Sequence, residues 1–270
     1  MNLDYWRLKG KPFEVAPDEN FFYPSPDHEE ALQRLLFSCH ERRGAIVLTG
    51  EYGCGKTLLS RVMIRELAKD IRCQIALITN PRLGAREFLA TICFELGASK
   101  EKLLPSDKVG LLDQIKQILE SNLEAGRQTT LMIDEAQAIE NEEVLEEVRL
   151  LMNMQSGNQL LLNVVFIGQP ELKEKILKLQ QLAQRVQMWF HLPPLDRDET
   201  QKYIRHRIRI AGVDSEIFTP EACQKVFSLT GGTPRLISNV CNMALWIGEK
   251  AGLQQIDAKT VVEASDTLKG

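Results

Sequence analysis

An α/β fold is what the sequence predicts: a three-layer αβα domain built on a parallel sheet, followed by a small all-helical domain. Three observations lead there. Apolar, β-rich runs recur at 45–49, 74–79, 129–133 and 160–167, each separated from the next by a helical pattern, and that alternation produces a parallel sheet covered on both faces. A glycine-rich phosphate-loop motif lies between the first run and the first following helix. Beyond Pro193-Pro194 the β pattern stops and only helical patterns remain, which sets the expected domains at 1–193 and 194–270.

Taken in order, the stretch before Ala45 is rich in aromatic residues and proline, and Phe13, Phe21, Phe22 and Tyr23 are expected to pack as an ordered lead-in. The run Ala45-Ile46-Val47-Leu48 is a buried strand. After the phosphate loop, Leu58, Leu59, Val62, Met63 and Leu67 recur at helical spacing. Two more helices are expected over 86–96 and 107–125, each with an apolar face for the sheet, and 186–192 supplies a fifth strand. In the helical part, Asp196 and Glu199 have capping-box spacing. Thr219-Pro220 and Thr233-Pro234 each pair a capping hydroxyl with proline at the first helical position, and Asp257 caps the last helix.

Bulk properties narrow the classes. With 270 residues, 44% hydrophobic and 26% charged, the chain can bury one substantial core and a smaller one. A net charge of −4 gives no general attraction to nucleic acid or anionic lipid. Six cysteines without C-x-x-C pairs argue against a zinc ribbon or a disulfide framework and fit a reducing cytoplasm. No run resembles a signal peptide or a membrane span. His28, His40 and His191 lack metal-ligand spacing.

The chemistry begins at Gly50-Glu51-Tyr52-Gly53-Cys54-Gly55-Lys56-Thr57, followed by Leu58. Glycines at these places let backbone N–H groups converge on phosphate oxygens; Lys56 reaches the outer phosphates and the Thr57 hydroxyl holds Mg²⁺. Cys54 has Lys56 nearby but no second catalytic group, and reads as loop filler. Leu131-Met132-Ile133-Asp134-Glu135 is a strand ending in two acids, at the end of a parallel strand where ligands sit. Asp134 is expected to hold Mg²⁺, and Glu135 to deprotonate the water that attacks a γ-phosphate.

Gln169, which ends the next strand, is a candidate for γ-phosphate contact or for starting a turn. Arg185 is either an arginine finger for a neighbouring subunit's ATP or a solvated surface residue. Arg235, after a Gly-Gly turn on the first turn of a helix, is either a phosphate sensor or an exposed basic residue at that turn. Lys202, Arg205, His206, Arg207 and Arg209 form a locally basic helix, read as a solvated face or as a nucleic-acid contact. No N-K-x-D follows the phosphate loop, which argues against a switch GTPase.

Together these motifs resemble the AAA+ ATPases over nearly the whole chain. More narrowly, the sequence is similar to the general secretion pathway protein A (ExeA-type) family. That similarity is carried by Tyr5-Trp6-Arg7-Leu8, Lys11-Pro12-Phe13, Phe21-Phe22-Tyr23, Asp134-Glu135-Ala136-Gln137, Gly168-Gln169-Pro170-Glu171-Leu172 and Leu182-Ala183-Gln184-Arg185. The resemblance implies Asp134 and Glu135 as Walker B acids, Gln169 as first sensor, Arg235 as second sensor on a helical lid, Arg185 as finger, and an adenine pocket involving the lead-in. It implies an Mg²⁺-dependent ATPase whose nucleotide-controlled homo-oligomer, a ring, drives assembly of a secretion or pilus envelope machine. Such a protein is expected in the cytoplasm, reaching the inner membrane peripherally through partners. The competing expectation is a DNA-binding ATPase of the transposition-regulator type.

Overall fold

The computed structural model describes residues 2–14, 16, 18–42, 44–99 and 107–269. These separate into two compact units, one made of Glu29–Gly50 and Ser60–Leu192, the other of Met1–His28, Glu51–Leu59 and Pro193–Gly270.

The larger unit holds a five-stranded parallel sheet. Its strands are β1 (Ala45–Gly50), β2 (Cys73–Ile78), β3 (Gln128–Ile133), β4 (Leu162–Gly168) and β5 (Val186–Leu192), in the spatial order β2-β3-β4-β1-β5. All five expected strands are present. Every residue of the central strands β1 and β4 is buried, as unbroken apolar runs require, whereas the edge strand β5 leaves most of its side chains partly accessible. The chain enters this unit through α1 (Pro26–His40), and α2 (Lys56–Leu67) follows β1; both helices run through both units in sequence. The sheet-covering helices include α3 (Ala85–Glu95), α4 (Lys108–Glu124) and α5 (Glu142–Leu151). Their faces, through residues such as Phe88, Ile92, Ile115 and Val148, form one core with Val47, Leu131, Val164 and Phe166 of the sheet. Asp107 caps α4 by accepting from the Gly110 N–H at 2.8 Å. Two short helices, α6 (Glu171–Lys178) and α7 (Gln180–Ala183), follow β4.

In the smaller unit, α8 (Arg197–Ile210), α9 (Pro220–Thr230), α10 (Pro234–Lys250) and α11 (Ala258–Lys269) surround their own core. The Asp196–Glu199 capping box forms, Thr219 caps α9, and Asp257 accepts from the Thr260 N–H at 2.8 Å. Thr233 differs from expectation: it stands at the N-cap of α10 with no side-chain capping bond. The aromatic lead-in packs into this helical core rather than with the sheet. Trp6, Leu8 and Phe13 are buried there, the Trp6 indole N–H donates to the Leu245 carbonyl at 3.1 Å, and Phe13 meets Phe218 edge-on at 6.1 Å. Position in the chain groups the lead-in with 1–193 because it precedes the sheet, but burial of these rings against α8–α11 ties it to the helices.

Candidate functional site

The phosphate loop runs from the end of β1 at Gly50 to the start of α2 at Lys56, and its residues from Glu51 on belong to the smaller unit. Gly53 and Gly55 take φ values of +86° and +96°, which side-chain-bearing residues rarely adopt. Crowding adds to that demand: a Cβ on Gly53 would meet the Arg235 Cβ at 2.8 Å, and one on Gly55 would meet His28 Nε2 at 3.0 Å. Glu51 and Tyr52 are exposed, while Lys56 is only 5% exposed and donates to the Glu51 carbonyl at 2.9 Å. Thr57 is half-buried on the first turn of α2. Burial raises the Cys54 thiol above its ordinary range and outweighs the opposing charge of Lys56, so Cys54 fills the loop as a neutral thiol.

His28 braces the same loop, a contact the sequence did not disclose. Its Nε2 lies 3.1 Å from the Cys54 carbonyl, which only accepts, so Nε2 carries the proton; Nδ1 then accepts from the Ser25 hydroxyl at 2.7 Å. Burial lowers the His28 pKa, in keeping with that neutral tautomer. Beside it, Phe22, Tyr23, Tyr203, Leu195 and Pro234 line a small cavity with Gly55 and Leu58. No periodicity links His28 to Cys54 or Tyr203 to Gly55; only folding brings them together.

Arg235 docks on the loop. Its backbone N–H donates to the Gly53 carbonyl at 3.2 Å, and its guanidinium lies over the Tyr52 ring, 4.8 Å from the centroid, while donating to the Tyr52 hydroxyl. The expected phosphate-sensing arginine thus rests on a residue of the phosphate loop.

Within the larger unit, the register pairs Thr49 with Gly168 and Ile133 with Phe166, so Asp134 and Gln169 follow neighbouring strands at one edge of the sheet, the edge where β1 ends. Asp134 is 5% exposed; its N–H donates to the Ile78 carbonyl and its Oδ1 accepts from the Glu135 N–H, both at 2.9 Å. Glu135 adopts a left-handed conformation, φ +52° and ψ +36°, which is strained for glutamate and turns the chain sharply after Asp134. Gln137, from the turn Ala136–Ala138, donates through Nε2 to the Glu135 carboxylate at 2.5 Å and accepts through Oε1 from the Gln169 N–H at 3.0 Å. In the sequence Gln137 stands out only as part of a resemblance; its side-chain role becomes visible when β3 and β4 pair.

Arg185 sits at the opposite edge. Its carbonyl accepts from the Ala45 N–H where β1 begins, one strand length, ~17 Å, from the edge carrying Asp134 and Gln169. Its side chain is exposed and makes no hydrogen bond or ion pair among the described residues.

The basic helix reading holds for Lys202, Arg205 and Arg209, which are exposed, and needs correction at Arg207. Arg207 of α8 is buried, donating to the Pro12 carbonyl at 2.5 Å and the Glu14 carbonyl at 3.1 Å, with its guanidinium 4.8 Å from the Phe21 ring centroid. Arg205 pairs with Glu216, and His206 leans on Tyr23. Helical periodicity turned Arg207 inward to hold the lead-in, so it is not part of a cationic face. His40, Asp70 and Cys73 lie close together, contrary to the expected scatter of histidines and cysteines. There Arg72 forks onto both Asp70 oxygens and lowers its pKa to about 2, so the group reads as an ion pair. A cavity of about 880 Å³ is open, lies near the start of β2, and has a mixed lining in which amide and hydroxyl side chains such as Gln74, Gln114, Ser121 and Asn122 alternate with apolar ones such as Leu96 and Ile118. It contains none of the expected site residues.

The AAA domain family model matches residues 39–176. General secretion pathway protein A of Aeromonas hydrophila is 40% identical over 251 residues, covering 91% of this chain and 44% of that protein. The chain therefore spans less than half the length of that relative. Among solved structures, the ORC2 protein of Aeropyrum pernix superposes with a TM-score of 0.68 at 17% identity, over 93% of this chain and 72% of that one. The RuvB Holliday junction branch migration motor of Thermotoga maritima gives 0.62 at 16% identity, over 92% and 73%. At such identities these two structures speak for the fold.

Proposed function

Because the chain belongs to the AAA domain family, and within it is of the general secretion pathway protein A type, we propose that it binds ATP with Mg²⁺ and hydrolyses it. The observation that carries this reading is Glu135: a carboxylate next to the buried Asp134, at the end of a parallel strand, held in a strained conformation and hydrogen-bonded by Gln137. Strain maintained at such a place is typical of a reacting group.

In this reading the Gly50–Leu58 loop cradles the phosphates through its N–H groups and Lys56 binds the outer ones. Hard oxygen donors suit Mg²⁺, and Thr57 and Asp134 supply them as hydroxyl and carboxylate. When bound, the metal neutralises charge on the phosphate oxygens. Glu135 takes the proton of the attacking water, Gln169 orients that water or the γ-phosphate, and Arg235 leaves Tyr52 to read the phosphate. Phe22, Tyr23, His28 and Tyr203, beside Gly55, supply aromatic faces and a polar edge for a base, and the cavity they line, about 40 Å³, must widen to admit one. Arg185, at the sheet edge remote from Asp134, acts only on a neighbouring copy's nucleotide, so activity requires a homo-oligomer such as a ring.

The proposed biological setting, assembly of a secretion or pilus envelope machine from the cytoplasmic side, rests on the Aeromonas relative. Among the described residues no helix is long and apolar enough to cross a membrane, and all six cysteines are free, which suits a reducing compartment. The DNA-binding alternative loses Arg207 from its basic helix but keeps Lys202, Arg205 and Arg209 as exposed residues, with Arg205 paired to Glu216.

The test is steady-state ATP turnover with and without Mg²⁺, beside nucleotide titration. Glu135→Gln should retain ATP affinity while turnover falls about 10³-fold, and Lys56→Ala should lose binding itself. An unchanged hydrolysis rate in Glu135→Gln rejects the base assignment.

A further inference from the structure

The Gln137 side chain joins two groups that the proposed mechanism uses separately. Its amide spans from the Glu135 carboxylate to the backbone N–H of Gln169, with one hydrogen bond at each end. The polarity of this bridge is fixed by its partners. A backbone N–H only donates, so the amide oxygen must face Gln169, and the amide NH₂ is then directed at Glu135, which as a carboxylate only accepts.

Two further features keep the bridge in place. Lys175 of α6 donates from its ammonium to the Gln137 carbonyl at 2.9 Å and to the Ile139 carbonyl, holding the turn from which the side chain extends. Gly168 lets the amide approach, since a Cβ there would stand 2.5 Å from the Gln137 Oε1. Gln137 is half-buried, so water competes less for its two hydrogen bonds than at an open surface.

We propose that Gln137 is a positioning residue that couples Gln169 to Glu135: it aims the Glu135 carboxylate and makes that aim depend on the backbone position of Gln169. The inference rests on the ATPase reading. Contact of the Gln169 side chain with a γ-phosphate shifts the peptide N–H that Gln137 accepts, and the amide transmits the shift to the carboxylate. Glu135 then reaches its productive direction only when the terminal phosphate is present, which restrains attack by water on anything else.

Two substitutions of equal length separate this role from mere support of the turn. Gln137→Met keeps the volume and removes both hydrogen bonds. Gln137→Glu keeps an acceptor for the Gln169 N–H but sets a second carboxylate against Glu135. Turnover and ATP affinity are measured for each, with thermal melting to verify folding. Expected is a kcat lowered roughly tenfold in Gln137→Met and about a hundredfold in Gln137→Glu, with the ATP dissociation constant within about twofold of the parent in both. A prop for Gln169 alone gives the reverse order, the Glu variant staying near wild type while the Met variant suffers, and that order overturns the proposal. So do two unchanged kcat values, or losses of affinity that parallel the losses of rate.

Failure here is separable from failure of the underlying reading. A wild-type protein that hydrolyses ATP, with Glu135→Gln inactive, upholds the ATPase whatever Gln137 does. A wild-type chain that binds ATP and never turns it over, alone or oligomerised, removes both.

Discussion

The strand-end group of the larger unit and the phosphate loop of the smaller one are held by different kinds of contact. Asp134 and Glu135 are fixed by backbone and amide hydrogen bonds at a sheet edge, with Asp134 almost wholly buried. Tyr52 and Arg235 are exposed and meet through a ring face and a hydroxyl. Charge-assisted and backbone hydrogen bonds in a buried setting resist rearrangement, whereas an exposed cation–π contact is worth about 0.5–1 kcal/mol and exchanges readily. In the proposed cycle the first region supplies aim and the second supplies response.

The sharpest way to break this comparison is to mix inactive variants. If Arg185 serves a neighbour's nucleotide, Arg185→Ala should lose about 10³-fold in kcat, and mixing it with Glu135→Gln should restore activity, because some interfaces then pair an intact base with an intact finger. Turnover of the mixture, measured beside each parent, decides it; no recovery at any ratio removes the trans role.

A smaller effect concerns stability. Arg207→Met strands the Pro12 and Glu14 carbonyls and should lower unfolding free energy by about 2–3 kcal/mol, read by denaturant titration. Faster proteolysis of the lead-in should accompany it, while nucleic-acid affinity should not change. Arg235→Ala should weaken ATP binding about tenfold and leave ADP binding nearly unchanged, since a phosphate-reading guanidinium contributes only where the γ-phosphate is present. Equal losses for both nucleotides in equilibrium titration would assign Arg235 to the loop's structure instead.

The mildest effect is with pH. Burial lowers the pKa of His28 and of His206 in the folded chain. In the unfolded chain each takes up a proton near pH 6.5 while the folded form stays neutral. Their stabilising contribution is therefore complete above about pH 6.5 and declines as pH falls toward the lower folded values. Melting temperature should drop through that window, and His28→Gln should make the drop shallower without abolishing it, because His206 remains.

Several of these residues are legible in the sequence alone. The phosphate loop, the acid pair and the five strands are written in local spacing, since glycine placement, unbroken apolar runs and strand-end acids follow from backbone geometry over a few residues. The burial of Arg207 is not legible for the same reason: a cluster of basic residues does not reveal which one helical rotation turns inward. Thr233 looked like a capping hydroxyl, yet its side chain makes no cap.

By itself, then, the sequence determined the fold class, the order of elements and which polar side chains stand on the loop and at the strand ends. Tertiary structure alone decided that the lead-in belongs with the helices, that His28 braces Cys54, and that Gln137 bridges Glu135 to Gln169. Those contacts depend on directional hydrogen bonds and shape complementarity between segments distant in the chain, or on strand pairing that brings them together, and neither leaves a periodic trace in the order of residues.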